Sequence, residues 1–270
     1  MELRNLMVHM DQSPRAAVRL ALAIKLARAH NARLVGAFGQ RARSQPVGAF
    51  SHWPTPEYVA AVKAVRAQFE LATQGLAQVE WHDIDHGADV DLLREIPRFA
   101  RYFDLTIIGQ HDERQPALVP PELAEQIVQS TGRPTLVVPY AGDIVTLGER
   151  PLIAWNDSRE AAHALNDALP FIEGCEEATV VSLNADYGLA KSSCAHVGRH
   201  LEMHGIKAKA DVLVVEDIGV MDMLLNRASD LSADLIVMGG HAPSSLPFVS
   251  RGAGTQHILR HMTVPVLISG

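Results

Sequence analysis

Leu6-Met7-Val8-His9-Met10-Asp11-Gln12-Ser13-Pro14-Arg15-Ala16-Ala17 and Leu152-Ile153-Ala154-Trp155-Asn156-Asp157-Ser158-Arg159-Glu160-Ala161-Ala162 are two copies of one phrase. Each copy is a short apolar run, then Asp or Asn, then Ser two residues later, then the start of an alanine-rich stretch. The first part suits a buried strand and the last an amphipathic helix, so each copy reads as strand, loop, helix. The match sets Asp11 on Asn156 and Ser13 on Ser158. Two further pairs extend it. YFDLTIIGQH aligns with LSADLIVMGGH, setting Gly109 on Gly239. AEQIVQSTGRPTLVVP aligns with TQHILRHMTVPVLIS, setting Pro134 on Pro265.

The offsets between copies are 145, then 130, then 131. The second copy is therefore 15 residues shorter in its middle, against the loop around 43–56 of the first, and one residue longer after Gly239. This is an internal duplication. Working outward, strands are expected at 3–10, 32–38, 80–86, 105–109 and 134–139, with helices at 13–30, 56–78, 90–102 and 121–130. In the first helix, Ala17, Leu20, Ala21, Ile24 and Ala27 share one face. The second half repeats the order, with strands at 152–155, 178–183, 208–215, 234–238 and 265–269. Its helices are expected at 159–169, 189–203, 220–229 and 255–261. Such alternation implies parallel sheets covered on both faces. The expected fold is α/β: two tandem doubly wound domains, 1–142 and 148–270, each with a five-stranded parallel sheet, joined within 141–149.

Composition narrows the function. Of 270 residues, 47% are hydrophobic and 20% charged, the profile of a packed globular protein. A net charge of −7 and 5% aromatics argue against a nucleic-acid surface. Cys175 and Cys194, 19 residues apart, make neither a disulfide framework nor a zinc ribbon and suit a reducing cytoplasm. No apolar run reaches 18 residues, and Asp11 comes too early for a secretory signal, so no membrane role is expected.

In open parallel sheets ligands bind beyond the carboxyl ends of the strands, where strand order reverses. Two loops per copy should meet there: Asp11–Ser13 or Asn156–Ser158 after the first strand, and the loops beginning at Gly109 or Gly239. The run Gly239-Gly240-His241-Ala242-Pro243-Ser244-Ser245-Leu246-Pro247-Phe248-Val249-Ser250-Arg251-Gly252-Ala253-Gly254-Thr255 starts at a strand end and finishes at a helix start. Its glycines let backbone N–H groups approach an anion, and the helix start adds donors. Arg251 offers a cation, and Thr255 either caps the helix or holds a phosphate oxygen. The alternative is a small-residue loop that only turns a corner.

With these residues the chain resembles a tandem member of the universal stress protein family, over nearly all of both halves. The resemblance implies an adenine nucleotide alpha hydrolase-like fold. It also implies a nucleotide loop of Gly-x-x-Gly, nine residues, then Gly-Ser/Thr. Gly239 fits the first glycine, Ala242 stands at the second, Gly252 fits the third, and Ala253 stands where Ser or Thr is expected. The family's adenosine-contacting Asp corresponds to Asp11 in the first half and Asn156 in the second. The adenine-contacting backbone corresponds to Leu183 or its neighbours. In the first half, Asp112, Glu113 and Glu122 would repel phosphates, and Pro120 and Pro121 remove donors, so that site is expected not to bind a triphosphate. The candidate set is Asn156, Ser158, Leu183, Gly239, His241, Ala242, Arg251, Gly252, Ala253, Gly254 and Thr255, for ATP, ADP or AMP.

No metal site is expected. His257 and His261 share a helix face without a companion glutamate, and His82 and His86 on a strand would stand about 13 Å apart. GxSxG and GxxxxGK[ST] are both absent. The two last strands, PTLVVP and VPVLIS, can pair edge to edge as an internal pseudo-dimer; a homodimer and protein partners stay open. The leading expectation is a cytoplasmic stress-response protein binding an adenine nucleotide in its second domain, with at most slow hydrolysis. The alternatives are a non-catalytic interaction module, without nucleotide or with another small ligand, and an enzyme using His9, Asp11 and His111.

Overall fold

A computed structural model describes residues 2–42, 53–182, 186–213, 219–240 and 252–270. The element order is β1 (Asn5–Met10), α1 (Ala16–His30), β2 (Arg33–Phe38), α2 (Pro56–Ala72), β3 (Val79–Asp83), α3 (Asp89–Ala100), β4 (Leu105–Gly109), α4 (Leu123–Thr131) and β5 (Thr135–Val138). It continues with β6 (Pro151–Trp155), α5 (Arg159–Ile172), β7 (Ala178–Ser182), α6 (Tyr187–Met203), β8 (Ala208–Val212), α7 (Val220–Asp230), β9 (Leu235–Gly239), α8 (Ala253–His261) and β10 (Val266–Ser269). The alternation read from the repeat is present throughout. The chain forms two compact units, Glu2–Arg133 and Pro134–Gly270.

In the first unit the strand order is β3-β2-β1-β4, and every pairing is parallel. The chain leaves β1 toward β2 and β3, then crosses back to β4 on the other side, so the switch point lies between β1 and β4. In the second unit the order is β5-β10-β9-β6-β7-β8. β6 pairs in parallel with β7 and β9, and the switch point lies between β6 and β9. β5 runs antiparallel to β10, with Val137 opposite Val266 and Leu136 opposite Leu267. The edge pairing expected of the two last strands is therefore present. Central strands β1, β4, β6 and β9 are apolar and buried; β3 and β8, at the sheet ends, carry Glu80, His82, Lys209 and Asp211.

One carboxylate anchors each copy. Before β4, Asp104 accepts the backbone N–H groups of Arg4 (2.8 Å) and Asn5 (2.9 Å), which open β1. Its counterpart Asp234, before β9, accepts those of Gly148 (3.1 Å), Glu149 (3.0 Å) and Arg150 (2.9 Å), just before β6. Each turn thereby sets the register of the two strands flanking its switch point.

Three expectations shift. Ala17 and Ala21 are exposed; the buried face of α1 runs through Ala16, Arg19, Leu20, Ala23 and Ala27. An alanine-rich helix looks apolar all round, so small residues do not mark the core side. α2 stops at Ala72 rather than near 78, because the Thr73 hydroxyl donates to the Phe69 carbonyl and Gly75 turns the chain at φ +88°. α8 begins two residues before Thr255, after Gly252 at φ +87°.

Asp234→Ala is expected to cost about 3 kcal/mol, because three buried or half-buried donors lose one charged acceptor. Asp104→Ala should cost less, with two donors nearer solvent. Urea unfolding of both variants checks this; equal costs would contradict the anchoring role.

Candidate functional site

At the end of β1 the first unit is closed by its own side chains. His9 and Asp11, two residues apart, point to the same side of the strand. Both are buried, as is Arg19 from the first turn of α1. Asp11 Oδ1 accepts the Ser13 backbone N–H (2.9 Å), the Ser13 hydroxyl (2.5 Å) and Arg19 Nη2 (3.0 Å). Arg19 Nε donates to the His9 carbonyl (2.8 Å), and His9 Nε2 donates to the Gly39 carbonyl (2.8 Å). Burial alone would raise the Asp11 carboxyl, but Arg19, His9 and Ser13 outweigh it and hold it at about 2. Burial lowers His9 to about 4 despite the nearby Asp11, so its ring is neutral at pH 7. His9 is a structural donor to Gly39.

The loops around this strand end are tied as well. Gln40 Oε1 accepts the Gln12 N–H, and Gln40 Nε2 donates to Gln12 Oε1, each at 3.0 Å. Arg41 donates its backbone N–H to the Leu118 carbonyl (2.7 Å) and Nη1 to the Ala117 carbonyl (3.2 Å). Two 2.6 Å bonds pair Arg41 with Asp89. The loop after β2 thus holds the loop after β4. Asp112, expected to repel phosphate, is itself paired with Arg114 at 2.8 Å.

The second unit differs at the same places. Asn156 and Asp157 are exposed, with Asp157 at φ +59°. Asn156 Oδ1 accepts the Ser158 N–H at 3.3 Å, and the Ser158 oxygen accepts the Ala161 N–H at 3.1 Å, capping α5. Trp155, the last residue of β6, donates its indole N–H to the Ser193 hydroxyl (2.7 Å), which donates to Asp157. Gly239 ends β9 directly against α5: a Cβ there would lie 2.6 Å from the Ala161 nitrogen. The structure therefore brings Gly239 to the turn carrying Asn156 and Ser158. Gly252 is the N-cap of α8 and has no side chain with which to cap it, and the first turn holds no acidic residue. Gly254 packs on Met221 of α7, and Thr255 is buried as the third residue of the helix rather than its cap. Leu183, His241, Ala242 and Arg251 lie outside the described residues.

Among the described residues no group of three His, Cys, Asp or Glu is placed to hold a metal. His257 Nε2 bonds Asp222 at 2.7 Å with the His261 ring 4.6 Å away, and His82 stacks on Phe99. Burial pushes both cysteine thiols up, as befits packing residues. Sequence reasoning passed over Arg19. Its signal is a charge on the buried side of α1, at a position that the repeat matches to Ala164.

The buried trio makes stability depend on pH. The folded state holds His9 neutral down to about pH 4, while the unfolded chain protonates it near 6.5. Stability should therefore fall as pH drops from 6.5 to 4, by about 3 kcal/mol from this residue. Asp11 adds a loss below pH 4, as its folded-state carboxyl is depressed. His9→Gln, which keeps a donor for Gly39, should flatten the profile between pH 4 and 6.5 in denaturant titrations.

No family model and no curated protein matches the sequence. Solved structures do. A universal stress protein from Archaeoglobus fulgidus DSM 4304 superposes with a TM-score of 0.67 at 14% identity, over 100% of this chain and 99% of that one. A putative universal stress protein from Pseudomonas aeruginosa UCBPP-PA14 gives 0.64 at 17% identity, over 99% and 93%. A functionally unknown protein from Pseudomonas aeruginosa PAO1 gives 0.63 at 17% identity, over 99% and 92%. Along its whole length, the chain shares the fold of the universal stress proteins.

Proposed function

We propose that this chain is a cytoplasmic stress-response protein that binds an adenine nucleotide, ATP, ADP or AMP, at the strand ends of its second unit. The observation that carries the reading is the contrast between the two switch points. Asp11 is buried and its Oδ1 takes three donors from its own chain, whereas Asn156 is exposed at the end of β6. The start of α8 supports it, since Gly252 precedes a helix whose first turn holds no acidic residue and whose dipole favours an anion. Asn156 and Ser158 would meet the nucleoside, Gly239 lets the start of α5 close on the strand end that carries them, and Gly252, Ala253 and Gly254 would let the backbone approach the phosphates. Leu183, His241, Ala242, Arg251 and Thr255 complete the proposed set. These are groups for holding a ligand rather than for turning it over, and the site is read as a sensor. No helix among the described residues is long and apolar enough to cross a membrane, and both cysteines are free, which fits a reducing compartment.

Millimolar ATP is expected to raise the melting temperature, the stabilisation reaching about 2.7 kcal/mol when ligand stands at a hundred times its Kd. Ala253→Asp, which sets a carboxylate at the start of α8 without disturbing the left-handed turn at Gly252, should remove the rise while leaving the circular dichroism unchanged. In a Trp53→Phe, Trp81→Phe background, fluorescence from Trp155 should change on ATP addition. No thermal shift in the wild type, together with no nucleotide released on denaturing the purified protein, would end this reading.

A further inference from the structure

We propose that Arg19 is a built-in occupant of the first unit's strand-end cleft and confines ligand binding to the second unit. Arg19 lies across the two strands that flank the switch point. From the first turn of α1 it reaches the His9 carbonyl and the Asp11 carboxylate at the end of β1. Its Nη1 lies 2.4 Å from where a Cβ on Gly109 would stand, so it packs against the last residue of β4. A guanidinium there makes the contacts that a polar ligand would otherwise make: a carboxylate, a backbone carbonyl and the open face of a glycine. It is 2% exposed, and every bond named is internal.

The second copy lacks this device. The register that sets Asp11 on Asn156 sets Arg19 on Ala164, a buried side chain with no reach. There Gly239 is met by the backbone of Glu160 and Ala161 in the first turn of α5. Asn156 carries no charge that needs a buried cation, and it stays exposed. The two changes belong together: Asp with Arg gives a buried strand end, and Asn with Ala leaves Asn156 exposed. Arg41, bridging to Ala117 and Leu118, adds to the closure without entering the strand ends.

The inference rests on the nucleotide reading of the second unit, and its test separates the two. Asp11→Asn with Arg19→Ala gives the first unit the residues of the second without stranding a buried charge. Calorimetric titration of the full chain uses adenosine, whose lack of charge removes any influence of Asp112 and Glu113. The expected counts are one adenosine per wild-type chain and two per double variant. Equal counts in the wild type and a folded double variant overturn the proposal. A wild-type count of zero with a variant count of one upholds closure of the first unit by Arg19, and a further wild-type count of zero with ATP overturns the earlier reading. If the double variant does not fold, Arg19→Ala alone is titrated with ethylguanidinium. Ethylguanidinium should raise its melting temperature toward the wild-type value, and adenosine should displace it. Failure of either step overturns the proposal.

Discussion

A carboxylate buried at the end of a parallel strand must find a cation or enough N–H donors, and at Asp11 this requirement organises everything nearby. Arg19 has to turn inward from α1 to meet it, which places a charge on the side of the helix that packs on the sheet. Ser13 has to spend its hydroxyl on the carboxylate and is no longer available to cap α1, whose N-terminus has no side-chain cap. His9 must stay uncharged beside the pair, because a second buried cation would lack an anion. Such an arrangement is stiff. Removing one member of a buried pair leaves the other unpaired, at about 3–5 kcal/mol.

With Asn at the matching place, the same backbone solves a milder problem. Ser158 is free to cap α5, the helix start closes on Gly239, and the loop between them faces solvent. A difference of one side-chain atom type thus propagates into a helix cap, a buried arginine and the accessibility of a strand end. Duplication supplied two equal frames, and the local electrostatics of each determined what its frame can hold.

Much of this was legible in the sequence because the repeat constrains it twice. Strand composition, the paired Ser residues and the paired glycines all recur, and the element order follows. Asp104 and Asp234 recur too, within the aligned segments, although their work as acceptors for the start of β1 and the approach to β6 needs coordinates. Other features were hidden for physical reasons. Alanine fits either side of a helix, so Ala17 and Ala21 misled about the face of α1. Arg19 reads as a solvated surface charge until its partner is known to be buried. Of the two roles open to Thr255, helix cap or phosphate ligand, the first falls because Gly252 already takes the left-handed turn and α8 begins at Ala253.

The antiparallel pairing of β5 with β10 bears on how the chain can be divided. β5 closes the first repeat in sequence, yet it groups with Pro134–Gly270 and covers the outer side of β10. A fragment beginning at Pro151 would keep all five parallel strands of the second copy and still lose that cover. Its Val266–Ser269 edge, buried along its whole length in the intact chain, would present bare ladder groups and apolar side chains. Such a fragment would stick to its own kind. A piece that keeps β10 covered begins before Thr135, so the sequence repeats and the compact units do not coincide in this molecule.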